Sequence, residues 1–298
     1  MGILITPTTN VLVQGITGKE GQKAVVAMRD YGTMVVGGVR PGKGGETIEG
    51  VPVFDTVREA CEMISDISVT TVFVPPFAAK AAILEAIDVG IPQINVIVER
   101  IPIKDTAYCL AAAREKGLRI IGPSSLGHIT PGIGRIGVVG GPKSQVDEIF
   151  TPGSVGVISR SGGMTNEISW QIRKMGLGQS TAVHVGGDML MGTTYTDLLR
   201  MFENDEQTKG VVIFGEHGGV YEFEIAELCA SGGYTKPLAV YIGGKFASAF
   251  PEGVNVGHVG AIVERGKGVV EKERALSEAG VMIAEKYEDL VSLISARI

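Results

Sequence analysis

The chain has 298 residues, with 33 Asp and Glu against 27 Lys and Arg and a formal charge of −6; that balance, without a long basic run, excludes a general nucleic-acid binder. The three cysteines, Cys61, Cys109 and Cys229, show no CxxC spacing, so they read as free thiols of a reducing compartment, neither a disulfide frame nor a zinc site. No apolar run reaches membrane-spanning length and no targeting pattern opens the chain, so a soluble cytoplasmic protein with no membrane contact is expected.

The length suggests about two domains, and 44% hydrophobic residues are enough to build their cores. In chain order, Asn10–Gln14 and Thr33–Gly37 read as buried strands flanking a helical stretch, Gly21–Tyr31. Val69–Val74, Ile94–Val98 and Leu118–Ile121 continue as strands, separated by helices at Ala78–Val89 and Ala107–Lys116. Pro123, Pro131, Pro142 and Pro152 mark an irregular linker region with its flanks. Alternation then resumes. Val155–Ser159, Gln179–Val185, Gly210–Gly215 and Pro237–Gly243 read as strands. Asn166–Met175, Tyr195–Asn204, Tyr221–Ser231, Val269–Ala279 and Tyr287–Ala296 read as helices. This β-α-β pattern predicts an α/β protein with doubly wound parallel sheets, divided into residues 1–130 and 131–298.

The 43 glycines cluster in loops between the apolar runs. The first such loop, Gly15-Ile16-Thr17-Gly18-Lys19-Glu20-Gly21, joins a strand to a helix, where backbone N–H groups and the helix dipole suit a phosphate. Its spacing is GxxGxxG and not the dinucleotide GxGxxG. The next strand leads into Gly37–Gly45, where Arg40 and Lys43 replace the acidic residue that an NAD ribose requires. These cations suit a ribose phosphate, which points to NADP or coenzyme A.

The second half repeats the device. Ser159-Arg160-Ser161-Gly162-Gly163 precedes a helix and offers an anion site at Ser161 and Gly162. Gly215-Glu216-His217-Gly218-Gly219 places a carboxylate at a strand end, where it can fix a histidine tautomer. Gly186-Gly187-Asp188 is a third turn of this kind. Gly257-His258-Val259-Gly260-Ala261 sets an imidazole among glycines, open to close approach by a reactant and suited to carrying a transferable group. No GxxxxGK[ST] loop, GxSxG elbow or metal-ligand cluster is present, so any nucleotide must come from elsewhere.

These motifs together resemble the α subunit of succinyl-CoA synthetase, in the nucleoside-diphosphate-forming acyl-CoA synthetase superfamily. They are VQGITGKEG (13–21), GGVRPGKGG (37–45), GVPVF (50–54), GVISRSG (156–162), GGD (186–188), GEHGG (215–219) and GHVGAI (257–262), in order over essentially the whole chain. The resemblance implies a Rossmann-like coenzyme A-binding domain followed by a flavodoxin-like ligase domain. It implies that His258 is the transiently phosphorylated histidine, that Glu216 orients and charges it, and that Ser161 and Gly162 hold the phosphoryl group. Gly15, Thr17, Gly18, Lys19, Glu20, Val39, Arg40, Pro41, Lys43, Val74, Pro75, Pro76 and Glu99 fall in segments matching the coenzyme A site. A partner β subunit with an ATP-grasp domain, in an αβ or α2β2 assembly, would supply ATP or GTP with magnesium.

The sequence departs from the family pattern around the acyl site. Pro123-Ser124-Ser125-Leu126-Gly127 replaces Pro-Asn-Cys-Pro-Gly, and Gly163-Met164-Thr165-Asn166 replaces Thr-Leu-Thr-Tyr. His217 stands for Ile, and His184 precedes the Val185-Gly186-Gly187-Asp188 turn. Pro251–Asn255 replaces a basic stretch. Ser124, Ser125, Asn166, His184 and His217 are therefore candidates for the substrate pocket, with the imidazoles facing an anionic or hydroxyl group. The acid is expected to be carboxylic or sulfonic: succinate first, with malate, citrate or a sulfonated acid such as sulfoacetate as alternatives. An NADP-binding oxidoreductase would account for Arg40 and Lys43 but leaves the GEHGG and GHVGA segments without a role. A non-catalytic coenzyme A sensor leaves the His258–Glu216 pairing without one.

Overall fold

Apolar strands alternating with amphipathic helices build two seven-stranded sheets in tandem. The computed structural model describes residues 2–255, 257–262 and 266–298. The first half contains β1 (Asn10–Gln14), α1 (Lys19–Asp30), β2 (Met34–Val39), β3 (Thr47–Ile48), β4 (Val51–Phe54), α2 (Val57–Met63), β5 (Ile67–Val72), α3 (Pro76–Val89), β6 (Gln93–Val96), α4 (Ile103–Glu115) and β7 (Arg119–Ile121). Its strand order is β3-β4-β2-β1-β5-β6-β7. Without the short antiparallel β3, this is the doubly wound Rossmann order, with the reversal between β1 and β5. The helices are set by ordinary local signals. Helix α1 buries Ala24, Val25 and Met28 on one face. Helix α3 starts at Pro76 and stops at Gly90, whose φ of 83° supplies the left-handed cap.

The second half contains β8 (Gly127–Thr130), β9 (Gly134–Gly137), α5 (Lys143–Ile149), β10 (Pro152–Ser159), α6 (Gly162–Lys174), β11 (Gln179–His184), α7 (Tyr195–Glu203), β12 (Gly210–Glu216), α8 (Tyr221–Ala230), β13 (Leu238–Gly243), a 3-10 turn at Lys245–Ala249, α9 (Val269–Glu278), β14 (Met282–Ile283) and α10 (Asp289–Ser295). The order is β14-β13-β12-β10-β11-β8-β9. The parallel part, β11-β10-β12-β13-β14, has the flavodoxin-like arrangement, reversing at β10. The β-branched runs in β10 and β12 are buried on both faces, as central parallel strands require. Helix α7 packs Tyr195, Leu198, Leu199 and Phe202 into the core beneath them, each such burial contributing about 1.5–3 kcal/mol.

Two details differ from the sequence reading. The region expected to be a linker holds the β8–β9 hairpin and α5, and the hairpin pairs antiparallel with β11 in the second sheet. Its glycines mark close cross-strand approach: a Cβ on Gly127 would lie 1.9 Å from the Ile136 carbonyl oxygen. The second sheet therefore begins at Gly127. The amino-terminal segment also packs there, since the Ile3 amide donates to Thr181 Oγ1 at 3.2 Å and Ile3 joins the second core. No helix among the described residues is long and apolar enough to cross a membrane.

Candidate active site

Strands β10, β11 and β12 run parallel, so the turns that follow them gather at one edge of the sheet. The strand order reverses at β10, and in open sheets of this kind ligands bind outside the strand ends at such a reversal, here beside β10 and β12. Glu216 is the last residue of β12, and Ser161 caps α6 just after β10. The helix starts at Gly162, earlier than the helical pattern from Asn166 indicated, because Ser161 Oγ accepts the Met164 amide and ends the extended backbone. The Gly162 and Gly163 amides lie ahead of the intrahelical ladder and face the strand end, where an anion can meet them.

His258 sits over the turn after β11. A Cβ on Gly187 would come within 2.8 Å of His258 Cγ, so only glycine admits the ring there. The His258 loop is held by its own backbone and its neighbours. Asn255 Nδ2 donates to the carbonyls of His258 (2.7 Å) and Val259 (3.2 Å), and the Gly260 amide donates to the Gly187 carbonyl at 3.2 Å.

The ring nitrogen Nδ1 of His258 lies 2.9 Å from Glu216 Oε2. The Glu216 side chain is 7% exposed and that of His258 is 43% exposed, so the carboxylate is fixed while the ring reaches solvent. Glu216 Oε1 forms an ion pair at 2.5 Å with Arg160 Nη2, which is itself buried and donates to the Asp188 carbonyl at 2.7 Å. With Nδ1–H given to the carboxylate, Nε2 keeps the lone pair and is the nucleophilic atom. Arg160 balances the buried Glu216 charge, which without a partner would be costly to desolvate. Burial pushes the Asp188 carboxyl above its ordinary range. Backbone amides and Arg160 oppose that rise, and the charge of Glu99 adds to it. Glu99, from the loop after β6, thus reaches the field of the second-domain site.

The candidate pocket residues divide into two groups. His184 Nδ1 accepts the Leu126 amide at 2.7 Å, and its Nε2 donates to the Arg160 carbonyl at 3.0 Å. Burial pushes this imidazole down to about 4, helped by the charges of His258 and Arg160 and opposed by its bond to the Arg160 carbonyl. Both nitrogens are engaged, so His184 is a neutral brace under Arg160 and offers nothing to an anion, contrary to the expectation above. His217 Nε2 donates to the Ala261 carbonyl at 3.0 Å and pins the His258 loop. Ser125 is fully buried, donating to the His184 carbonyl at 2.5 Å and accepting the Gly127 amide. Ser124, with φ of 58°, is half-buried, as is Asn166, whose buried Oδ1 has no hydrogen-bond partner among the described residues.

The first-domain candidates lie at the edge where β1 and β5 diverge. Gly15, with φ of 82°, turns the chain out of β1, and Gly18 caps α1 without a side-chain bond. A Cβ on Gly21 would meet the Gly15 carbonyl oxygen at 2.5 Å, so the turn is a tight backbone cradle. Thr17 accepts Gln22 Nε2 through its carbonyl, and Lys19 and Glu20 are exposed at the first turn of α1. Val74 is half-buried beside Gly15, and Pro75 and Pro76 begin α3. Val39 is buried at the end of β2, followed by exposed Arg40, Pro41 and Lys43. Asp55 Oδ1 accepts the amides of Lys43 and Gly44, both at 2.9 Å, and fixes this loop. Those amide bonds, led by Gly44, hold the Asp55 carboxyl below its ordinary range against the opposing effect of desolvation. Lys43 Nζ pairs with Glu46 at 2.7 Å.

Residues 6–100 match the CoA binding domain family and residues 158–283 the CoA-ligase family. The chain is 42% identical over 297 residues to subunit alpha 2 of the ADP-forming succinate–CoA ligase of Archaeoglobus fulgidus, covering 99% of each chain. It is 40% identical over 299 residues to a subunit of the ADP-forming sulfoacetate–CoA ligase of Bilophila wadsworthia, again covering 99% of each. ATP citrate lyase from Methanothrix soehngenii, solved with citrate and coenzyme A, superposes with a TM-score of 0.91 at 25% identity, covering 99% of this chain. This chain spans about half the length of that lyase chain, 50%. The chain belongs to the family of ADP-forming acid–CoA ligase α subunits. Its two domains are the coenzyme A-binding and CoA-ligase domains of that family.

Proposed function

We propose that this chain works with a β subunit carrying an ATP-grasp domain and magnesium nucleotide, and joins an acid to coenzyme A through phosphorylation of His258. The observation that carries the reading is the 2.9 Å contact of His258 Nδ1 with a buried carboxylate, which leaves Nε2 as the nitrogen without a hydrogen bond among the described residues. Nε2 attacks the terminal phosphorus of the nucleotide, forming a P–N bond as the P–O bond to the departing diphosphate breaks. Glu216 stabilises the positive charge that develops on the ring. At the α6 start, the Gly162 N–H and the Ser161 hydroxyl are the donors for the phosphoryl oxygens. The substrate carboxylate then takes the phosphoryl group, the P–N bond breaks, and His258 returns to its neutral form. Splitting the displacement in this way replaces one difficult step with easier ones.

Coenzyme A would supply the thiol that receives the acyl group, the C–S bond forming as the C–O bond to phosphate breaks, so that inorganic phosphate leaves with the thiol proton. The cradle of Gly15, Thr17, Gly18, Lys19 and Glu20 suits its diphosphate, because a side chain at Gly21 would fill the turn. Arg40 and Lys43 suit the ribose phosphate, and Val74, Pro75 and Pro76, which lead into α3 beside the Gly15 turn, are the apolar candidates next to the cradle, with Pro41 between the two cations and Val39 buried before them. Glu99 follows β6, and its charge acts on Asp188 of the ligase domain.

For the acid, we propose succinate, with a sulfonated acid as the second reading. The succinate and sulfoacetate relatives are 42% and 40% identical to this chain, and Ser124 and Asn166 are the candidate polar groups that would discriminate. The test is to purify the αβ assembly and incubate it with labelled ATP. Acid-labile phosphate is expected on this chain and absent from His258→Asn. Equal labelling of that variant overturns the assignment. Coenzyme A-dependent ADP release with a panel of carboxylic and sulfonic acids then identifies the substrate.

A further inference from the structure

A buried ion pair stands behind the Glu216 turn and takes no part in the steps above. Lys272 on α9 is fully buried, and Glu222 on α8 is 1% exposed. Lys272 Nζ lies 2.6 Å from Glu222 Oε2 and 2.8 Å from each of the carbonyl oxygens of Glu216 and Gly218. All three ammonium protons are therefore committed. Glu222 Oε1 accepts the Glu216 amide at 3.2 Å and the Tyr195 hydroxyl at 3.4 Å. The pair thus holds both the N–H and the C=O of Glu216, while Arg160 and His258 hold its carboxylate.

Docking two helices does not require this arrangement, because apolar residues of similar volume pack as stably as a buried ion pair. The bonds to the main chain of Glu216 are what apolar residues could not supply. We propose that Glu222 and Lys272 are positioning residues for phosphoryl transfer at His258. They clamp the Glu216 peptide so that its carboxylate keeps its contact with Nδ1 while charge builds and decays on the ring. The proposal rests on the reading of His258 as the phosphoryl carrier.

The experiment measures phosphorylation of the αβ assembly by labelled ATP under rapid quench. The paired variant Glu222→Gln/Lys272→Met removes both charges and leaves no isolated buried ion. It is expected to bind coenzyme A as wild type does and to phosphorylate about 10- to 100-fold more slowly, the scale of an ångström-level misplacement. Glu216→Gln alone should cost roughly 10²-fold. Adding the paired change to Glu216→Gln should cost less than about twofold more, because the clamp acts through that carboxylate. Full-rate phosphorylation in the paired variant, or the same large loss in both backgrounds, overturns the proposal. If the paired variant misfolds, Lys272→Arg carries the test. It keeps the charge but cannot set one nitrogen against three acceptors, so slow phosphorylation supports the clamp and a full rate overturns it. A wild type that takes no label on His258 overturns the carrier reading, and the clamp with it. A labelled wild type with an insensitive paired variant overturns the clamp alone.

Discussion

The two domains place candidate sites at equivalent edges of their sheets but build them from different materials. In the first, the Gly15–Gly21 turn and the Arg40–Lys43 loop present backbone amides and exposed cations, and the Lys43–Glu46 pair is about half exposed on both sides. In the second, the His258 ring reaches solvent. Behind it stand Glu216, Arg160, Glu222, Lys272 and His184, all buried. A cradle of main-chain donors needs no buried charge, because the helix start already faces the anion. A site that must develop and discharge a charge on one ring needs fixed partners in a water-poor setting, where they act without reorganising. The difference predicts that substitutions in the second domain affect folding and chemistry together, while those in the first change binding only.

Arg160→Met is the severest test. It strips the partner from a 7%-exposed carboxylate and removes the bond to the Asp188 carbonyl. Leaving a buried charge uncompensated costs about 3–5 kcal/mol, so urea unfolding should show a loss of that size, with phosphorylation lost alongside it. A loss below about 1 kcal/mol, the scale of surface pairs, would erase the contrast between the domains.

Acid should separate the domains next. His184 is pushed down to about 4 and His128, also by burial, to about 3, against an unfolded value near 6.5. The folded forms bind protons less readily than the unfolded chain. The stability they contribute is therefore complete above about pH 6.5 and falls as pH drops towards their folded values. Each contributes a slope of up to about 1.4 kcal/mol per pH unit in that window. His184→Leu should be less stable at neutral pH yet show a shallower fall between pH 6.5 and 4. An unchanged slope would mean that His184 is not held neutral by Leu126 and Arg160.

What was legible in the sequence follows the same division. Central parallel strands are apolar runs ending in glycine turns, so the alternation revealed both sheets and the turns at their edges. The Glu216–His258 contact joins residues 42 apart, and it was reached through resemblance, since neither turn alone specifies its neighbour. The buried charges were not legible. Lys272 lies in Val-Val-Glu-Lys-Glu-Arg, which reads as the wet face of a helix, and Arg160 reads as one residue of a turn. The role of His184 was hidden for the converse reason: its partners are backbone groups of Leu126 and Arg160, which leave no mark in the sequence. The β8–β9 hairpin was hidden because its glycines, needed for close strand approach, resemble those of a linker.

The smallest expected effect lies in the first domain and distinguishes its two cations. Lys43 is already paired with Glu46, so a ribose phosphate would exchange one exposed partner for another. Such exposed pairs are worth little and are screened by salt. Arg40 is exposed and has no ion pair among the described residues, while its backbone is fixed by the 2.9 Å bond of its amide to the Phe54 carbonyl. Its fork can meet a phosphate with two parallel bonds. Calorimetry with coenzyme A and with its form lacking the ribose phosphate should therefore show a preference for the first in wild type. That preference should shrink no more than about fivefold in Lys43→Ala and by a larger factor in Arg40→Ala. Thermal stability should be unchanged in both variants, because neither charge is buried. A greater loss of preference in Lys43→Ala than in Arg40→Ala would mean that the Glu46 pairing gives way when ligand binds, and that the first domain reorganises its charges where the second holds them fixed.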